Sequence, residues 1–185
     1  GLGEAGLYWD AGRLRPFACE GGHASFSPTT DEEWALRTSL AREHGHVSWE
    51  RVVSGPGLVA IHDFLVERAG GSIGEPRPRP GESAAAIVAA AADEEPGLAR
   101  DAVQLFARLY GAEAGNLALK VMAVGGVYVA GGIAPKIIDW LDQGGFMAGF
   151  VDKGRMKPLL EAMPVHVILD ERIALKGAAR RELDD

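Results

Sequence analysis

Between Pro96 and about Ala123 the chain repeats Leu98, Ala102, Leu105, Leu109 and Ala112 at three- and four-residue spacing. That spacing marks a helix with one buried face. The helix runs straight into Gly125-Gly126-Val127-Tyr128-Val129-Ala130, an apolar run that reads as a fully buried strand. Gly131-Gly132-Ile133-Ala134-Pro135 then turns the chain into a second helix, ending near Leu141. Helix, buried strand, glycine turn and helix in that order require a layered packing of helices on a sheet, so the fold class is α/β. Gly111 and Gly115 lie four residues apart inside the long helix and mark a tight packing face or a bend.

The remaining segments fit the same class. Leu7, Tyr8 and Trp9 form one strand, Asp10-Ala11-Gly12 turns, and Leu14 to Ala18 returns as the second arm of an N-terminal hairpin. Thr30 is placed to cap a helix that carries Asp31, Glu32 and Glu33 in its first turn and stops near Gly45. Val47 to Val53 is ambiguous. Ser54-Gly55-Pro56-Gly57 is a turn leading into a helix from about Gly57 to Ala69, where a proline near the start costs little. Residues 70–82, with four glycines and three prolines, read as an exposed, stiff connector. Ser83 caps an alanine-rich helix to Ala92. Gly145–Phe150 and Leu159–Met163 are short helices, Val165–Leu169 is a second buried strand, and Ala174–Leu183 is a terminal helix.

Charge and cysteine usage exclude several function classes. A formal net charge of −7 over 185 residues argues against a nucleic-acid-binding surface, which needs clustered Lys and Arg. Cys19 is the only cysteine, so neither an internal disulfide nor a Cys-rich zinc site can form. No stretch approaches 18 uninterrupted apolar residues, so no membrane span is expected, and the start has no signal-peptide pattern; the expected location is cytoplasmic. The opening Gly1-Leu2-Gly3, without Met, reads as the middle of a motif, so a longer parent protein is expected.

The chemistry concentrates in Glu20-Gly21-Gly22-His23. A carboxylate accepts hydroxyl protons and an imidazole both accepts and donates, which suits a polyhydroxylated ligand. The two glycines disfavour a helix and let backbone approach a ligand closely. Glu20-x-x-His23 and Glu43-x-x-His46 also match a di-metal carboxylate spacing, but glycines interrupt both, so no metal site is expected. His44, His46, His62 and His166 show no ligand spacing that stands out and read as structural or surface residues. The glycine turn at Gly131 and Gly132, after an apolar strand, is the nucleotide candidate; it is neither a Walker A nor a GxGxxG pattern.

Several runs together resemble the bacterial glucokinase family, in the group lacking zinc-binding cysteines. They are Gly1-Leu2-Gly3, Glu20-Gly21-Gly22-His23, Gly45-His46-Val47-Ser48 with Glu50-Arg51-Val52, Ser54-Gly55-Pro56-Gly57-Leu58, Gly115-Asn116-Leu117-Ala118-Leu119, Gly125-Gly126-Val127, Ala130-Gly131-Gly132-Ile133 and Asp152-Lys153-Gly154-Arg155. The resemblance implies an actin-like ATPase (ribonuclease H-like) fold of the hexokinase type. This chain would be its large C-terminal domain (1–185), with a small N-terminal domain outside the chain. It implies ATP-dependent phosphorylation of D-glucose, with ATP and Mg²⁺, in the first step of glycolysis. Glu20, His23 and Glu50 would hold the glucose hydroxyls. Gly131 and Gly132 would take the adenosine, and Gly1 and Gly3 would end a phosphate-binding hairpin. The family's general base, an aspartate after an asparagine, would lie upstream of Gly1, so no catalytic residue is assigned and the chain alone is expected to be inactive. A homodimer is consistent with the family. The alternative is a non-catalytic sugar-binding or regulatory domain on the same fold.

Overall fold

The computed structural model describes residues 1–70, 80–93 and 96–184. They divide into two compact units, Gly1–Leu109 and Tyr110–Asp185.

The first unit opens with an antiparallel hairpin, β1 (Glu4–Asp10) and β2 (Arg13–Cys19), in which Glu4 pairs with Cys19 and Asp10 with Arg13. Ala11 (φ 46°) and Gly12 (φ 82°) make the two-residue turn. Two left-handed residues match the twist of the strands they join. The tip of the Phe17 ring reaches over its cross-strand partner Gly6, where a methyl group would sit 2.1 Å from Cζ.

Helix α1 (Asp31–His44) starts and stops where its sequence says. The Thr30 hydroxyl accepts from the Glu33 N–H at 3.2 Å, and the Glu33 carboxylate reaches back to the Thr30 N–H, a reciprocal capping box. Gly45, with φ of 67°, ends it. Leu36 is fully buried, and so is most of Leu40. Glu33 also stays inside, because Thr29 N–H and hydroxyl (2.6 and 2.9 Å) and Arg108 Nε (3.3 Å) satisfy its carboxylate.

Helix α2 (Gly55–Arg68) begins two residues earlier than its turn-like sequence suggests. The Ser54 hydroxyl accepts from the Gly57 N–H at 3.1 Å, so Gly55 and Pro56 are already its first turn. α3 (Pro80–Asp93) packs on α2. It also starts early: residues 80–82 are helical, not part of a connector, because proline is accommodated in a first helical turn. The rest of the proposed connector, 71–79, lies outside the described residues. α4 (Leu98–Val121) follows, and Ala102, Val103 and Phe106 on it are fully buried.

In the second unit, Gly111 and Gly115 of α4 face α6 (Gly145–Val151). A methyl on Gly111 would stand 1.8 Å from the Phe146 carbonyl oxygen, and one on Gly115 would stand 2.4 Å from that of Phe150. The glycines are the contact surface itself. The Tyr110 ring meets Phe146 edge-on at 5.7 Å, and burial pushes its phenol up to about 12. α5 (Ile138–Asp142) and α7 (Lys157–Glu161) complete the helical part. The strands are shorter and wetter than their composition suggests. β3 (Val127–Val129) and β4 (Val165–Val167) pair in parallel, only Val129 is buried, and Tyr128 is 58% exposed, stacked on His166. Among the described residues this sheet has two strands, and the face that carries Tyr128 and His166 is exposed. α8 (Ile173–Asp184) closes the chain. No helix among the described residues is long and apolar enough to cross a membrane.

Candidate functional site

Leaving β2, the chain makes a single 3-10 turn over Gly21–His23, in which the Glu20 carbonyl accepts from the His23 N–H at 3.0 Å. Gly22 is needed here for packing. A side chain at Gly22 would strike the Leu2 carbonyl oxygen at 2.3 Å, and one at Gly21 would meet the Glu4 carboxylate at 1.8 Å. What comes close to the Gly22 backbone is the Leu2 backbone, where the sequence suggested a ligand. The Cys19 thiol donates weakly to the same Glu4 carboxylate at 3.7 Å, so the base of the hairpin holds the turn in place.

Beyond the turn the chain meets a distant segment. Phe26 N–H donates to the Val47 carbonyl (2.9 Å), Trp49 N–H donates to the Ala24 carbonyl (3.0 Å), and Ser25 bridges antiparallel to Ser48. On the buried side Phe26 packs edge-on against Trp49, with ring centroids 5.0 Å apart. The short bridge forces His23 and Glu50 together. His23 Nδ1 lies 3.2 Å from Glu50 Oε2. Glu20 flanks the other ring nitrogen, Nε2, at 3.8 Å, too far for a hydrogen bond. Glu20 is 89% exposed, leaving its oxygens open to a ligand. Gly1 rests on Glu50, where a methyl group would stand 2.9 Å from Oε1. Of the sequence-predicted residues in this unit, Glu20, His23, Glu50 and Gly1 are thus gathered in one place. Gly3 leads into β1 with open space where a side chain would be.

A cavity of about 470 Å³ opens beside this group, lined among others by His23, His44, His46, Glu50, Arg51 and Ser54. Its size falls in the range of small-molecule sites. Two carboxylates around an imidazole can accept several hydroxyl protons, while the ring nitrogen supplies a further acceptor or donor. His44 and His46, which in the sequence read as structural or surface residues, both stand on the cavity wall. Their signal is position: they stand six and four residues before Glu50, and His46 belongs to the Gly45-His46-Val47-Ser48 run.

In the second unit, Gly131 follows β3 with φ of 107°, a conformation that glycine adopts without strain. Apart from chain neighbours, nothing lies within 4 Å of where a side chain on Gly131 or Gly132 would start, so the turn presents bare backbone, half-buried at Gly131 and exposed at Gly132. Pro135 then opens the short 3-10 helix Ala134–Ile137. Among the described residues no three His, Cys, Asp or Glu side chains gather as a resident metal would need.

The family profile described as Glucokinase matches residues 1–183. Among curated relatives, the glucokinase of Nostoc punctiforme is 42% identical, over 97% of this chain and 57% of its own length. That of Synechocystis is 45% identical, over 91% of this chain and 52% of its own. The chain therefore spans about half the length of the curated relatives it matches. The solved structure of a glucokinase from an Antarctic psychrotroph superposes with a TM-score of 0.83 at 30% identity, covering 99% of this chain and 55% of that one. The glucokinase of Balamuthia mandrillaris, solved in complex with glucose, matches in fold with a TM-score of 0.73 at 24% identity, over 89% of this chain and 46% of that one.

Proposed function

The chain belongs to the glucokinase family, and we propose that the whole protein transfers the γ-phosphoryl group of ATP to the 6-hydroxyl of D-glucose, with this chain as its large C-terminal domain. The observation that carries this reading is the His23–Glu50 contact at 3.2 Å, flanked by Glu20 beside a cavity. Glu20 and Glu50 accept protons from sugar hydroxyls. A proton on His23 Nδ1 faces Glu50 and leaves Nε2 to accept a further hydroxyl. Their task is orientation, which in phosphoryl transfer supplies much of the rate.

The bare backbone at Gly131 and Gly132 is the proposed adenosine contact, with Gly1 and Gly3 contributing to the phosphate end. Mg²⁺ enters with ATP as part of the substrate. It is held chiefly by nucleotide phosphates and needs at most one or two protein oxygens. Its chemistry is charge neutralisation on the transferred group. We further take the protein as cytoplasmic and as a homodimer, the latter checked by light scattering.

Replacing Glu20 by Gln in the full-length protein removes a charge-assisted acceptor worth roughly 1.5–3 kcal/mol. The expected result is a fall in kcat/KM for glucose of about 10- to 100-fold. An unchanged kcat/KM refutes the assignment of Glu20. Glucose binding by calorimetry without turnover in the full-length protein would instead support a non-catalytic sugar-binding role.

A further inference from the structure

The bridge between residues 24–26 and 47–49 has a buried side and an open side. The buried side is locked by Phe26 and Trp49, which are 2% and 3% exposed. On the open side the Ser25 hydroxyl lies 3.1 Å from His46 Nε2, a side-chain hydrogen bond between residues 21 positions apart. Ser25 stands two residues after His23, and His46 stands four before Glu50. Gly45, at φ of 67°, reverses the chain as α1 ends and so aims His46 back at the loop. His46 also lines the cavity that His23 and Glu50 line.

We propose that Ser25 and His46 form a positioning strap that holds His23 against Glu50, and so sets how tightly the site grips a polyhydroxylated sugar. In its consequence for glucose the proposal rests on the function argued above. A neutral His46 can accept from the serine hydroxyl or donate to it, and a protonated one can donate, so the strap holds in either charge state. Both residues are exposed, and an exposed hydrogen bond contributes little to folding. Its role is therefore separable from stability.

The test uses the full-length protein with Ser25→Ala, His46→Ala, His46→Gln and the Ser25→Ala/His46→Ala double variant. The expected result is a rise of about two- to tenfold in KM for glucose in each alanine variant, with KM for ATP and Tm unchanged. The double variant is no worse than either single, because both break one interaction. His46→Gln, whose amide can take the place of Nε2, restores most of the loss. A second readout does not need turnover. In His46→Ala the ring NMR signals of His23, 23 residues away in sequence, move while the Trp49 indole signal stays, and His46→Gln returns them. Wild-type KM values with unmoved His23 signals overturn the strap. So does an additive double variant, or a parallel loss for ATP and glucose with a lowered Tm. If the wild-type protein phosphorylates no glucose, the proposed function falls, and the His23 signals alone decide for or against the strap.

Discussion

Gly21 and Gly22 are neighbours with opposite tolerance. Neither has a positive φ, so adding a methyl group to either costs nothing in backbone conformation. At Gly22 the methyl would lie 2.3 Å from the Leu2 carbonyl oxygen and 3.2 Å from its carbon. Ordinary contact begins at 3.4 Å, so two backbone segments must separate by about 1.1 Å. Overpacking of this kind costs about 1–3 kcal/mol. Gly22 is one residue from His23 in the same turn, so the shift is passed to the 3.2 Å contact with Glu50 and opens it beyond hydrogen-bond reach. A displacement of about 1 Å in a positioning group can cost a hundredfold in rate. At Gly21 the methyl would meet only the Glu4 carboxylate, the end of a flexible side chain that can swing away. The expected outcome in the full-length protein is that Gly22→Ala lowers kcat/KM for glucose by about 100-fold and lowers Tm, whereas Gly21→Ala stays within about threefold of wild type. Steady-state kinetics and calorimetry on the two variants decide it. Wild-type behaviour of Gly22→Ala, or equal damage from both, refutes the reasoning.

Three further outcomes follow from packing and charge. Gly111→Ala, 1.8 Å from the Phe146 carbonyl oxygen, should destabilise by about 2 kcal/mol, whereas Gly177→Ala, in open space on α8, should stabilise by about 0.5–1 kcal/mol; urea midpoints with unchanged m-values report the sign of each. Glu33→Ala empties the capping box and removes one carboxylate contact of Arg108, for a loss of about 2 kcal/mol. That is below the figure for a fully buried pair, since the Arg108 side chain is 34% exposed; Glu33→Gln should lose less, again read from urea midpoints. The Lys176 ammonium and the Arg172 N–H hold the Asp170 carboxyl below the ordinary carboxylate range. A depressed folded value means that its contribution is present above about pH 4 and is lost as pH falls through that value, so a carbon-detected NMR titration of Asp170 should show a midpoint below the model-peptide value, and Lys176→Met should raise it.

Local signals were legible. Thr30 and Gly45 bracket α1, the hairpin turn sits at Ala11 and Gly12, and the glycine pair on α4 is a packing face. Each is set by a few neighbouring residues. Coverage was not legible: Val127–Val129 and Val165–Val167 are apolar enough to be buried, yet composition does not say what packs on each face of a sheet, and Tyr128 and His166 lie exposed. Pro80 read as the end of a spacer, although the same missing N–H suits a first helical turn. At the candidate site the residue types of Glu20, His23 and Glu50 were legible. The pairing that brings them together was not, because Ala24–Phe26 and Val47–Trp49 are irregular segments whose contact follows no periodicity.

That pairing also changes what the intervening chain is. Tied at Phe26 and Val47, the stretch carrying α1 is an excursion that leaves the site and returns to the same point. In terms of chain entropy, lengthening such a closed loop is cheap, about 0.6 kcal/mol for each doubling. Sequence on its outer surface, such as Trp34 at 52% exposure, can drift or grow while the knot beneath it stays tied. Only the end of that helix, at His44, stays committed to the cavity wall that His23 and Glu50 share.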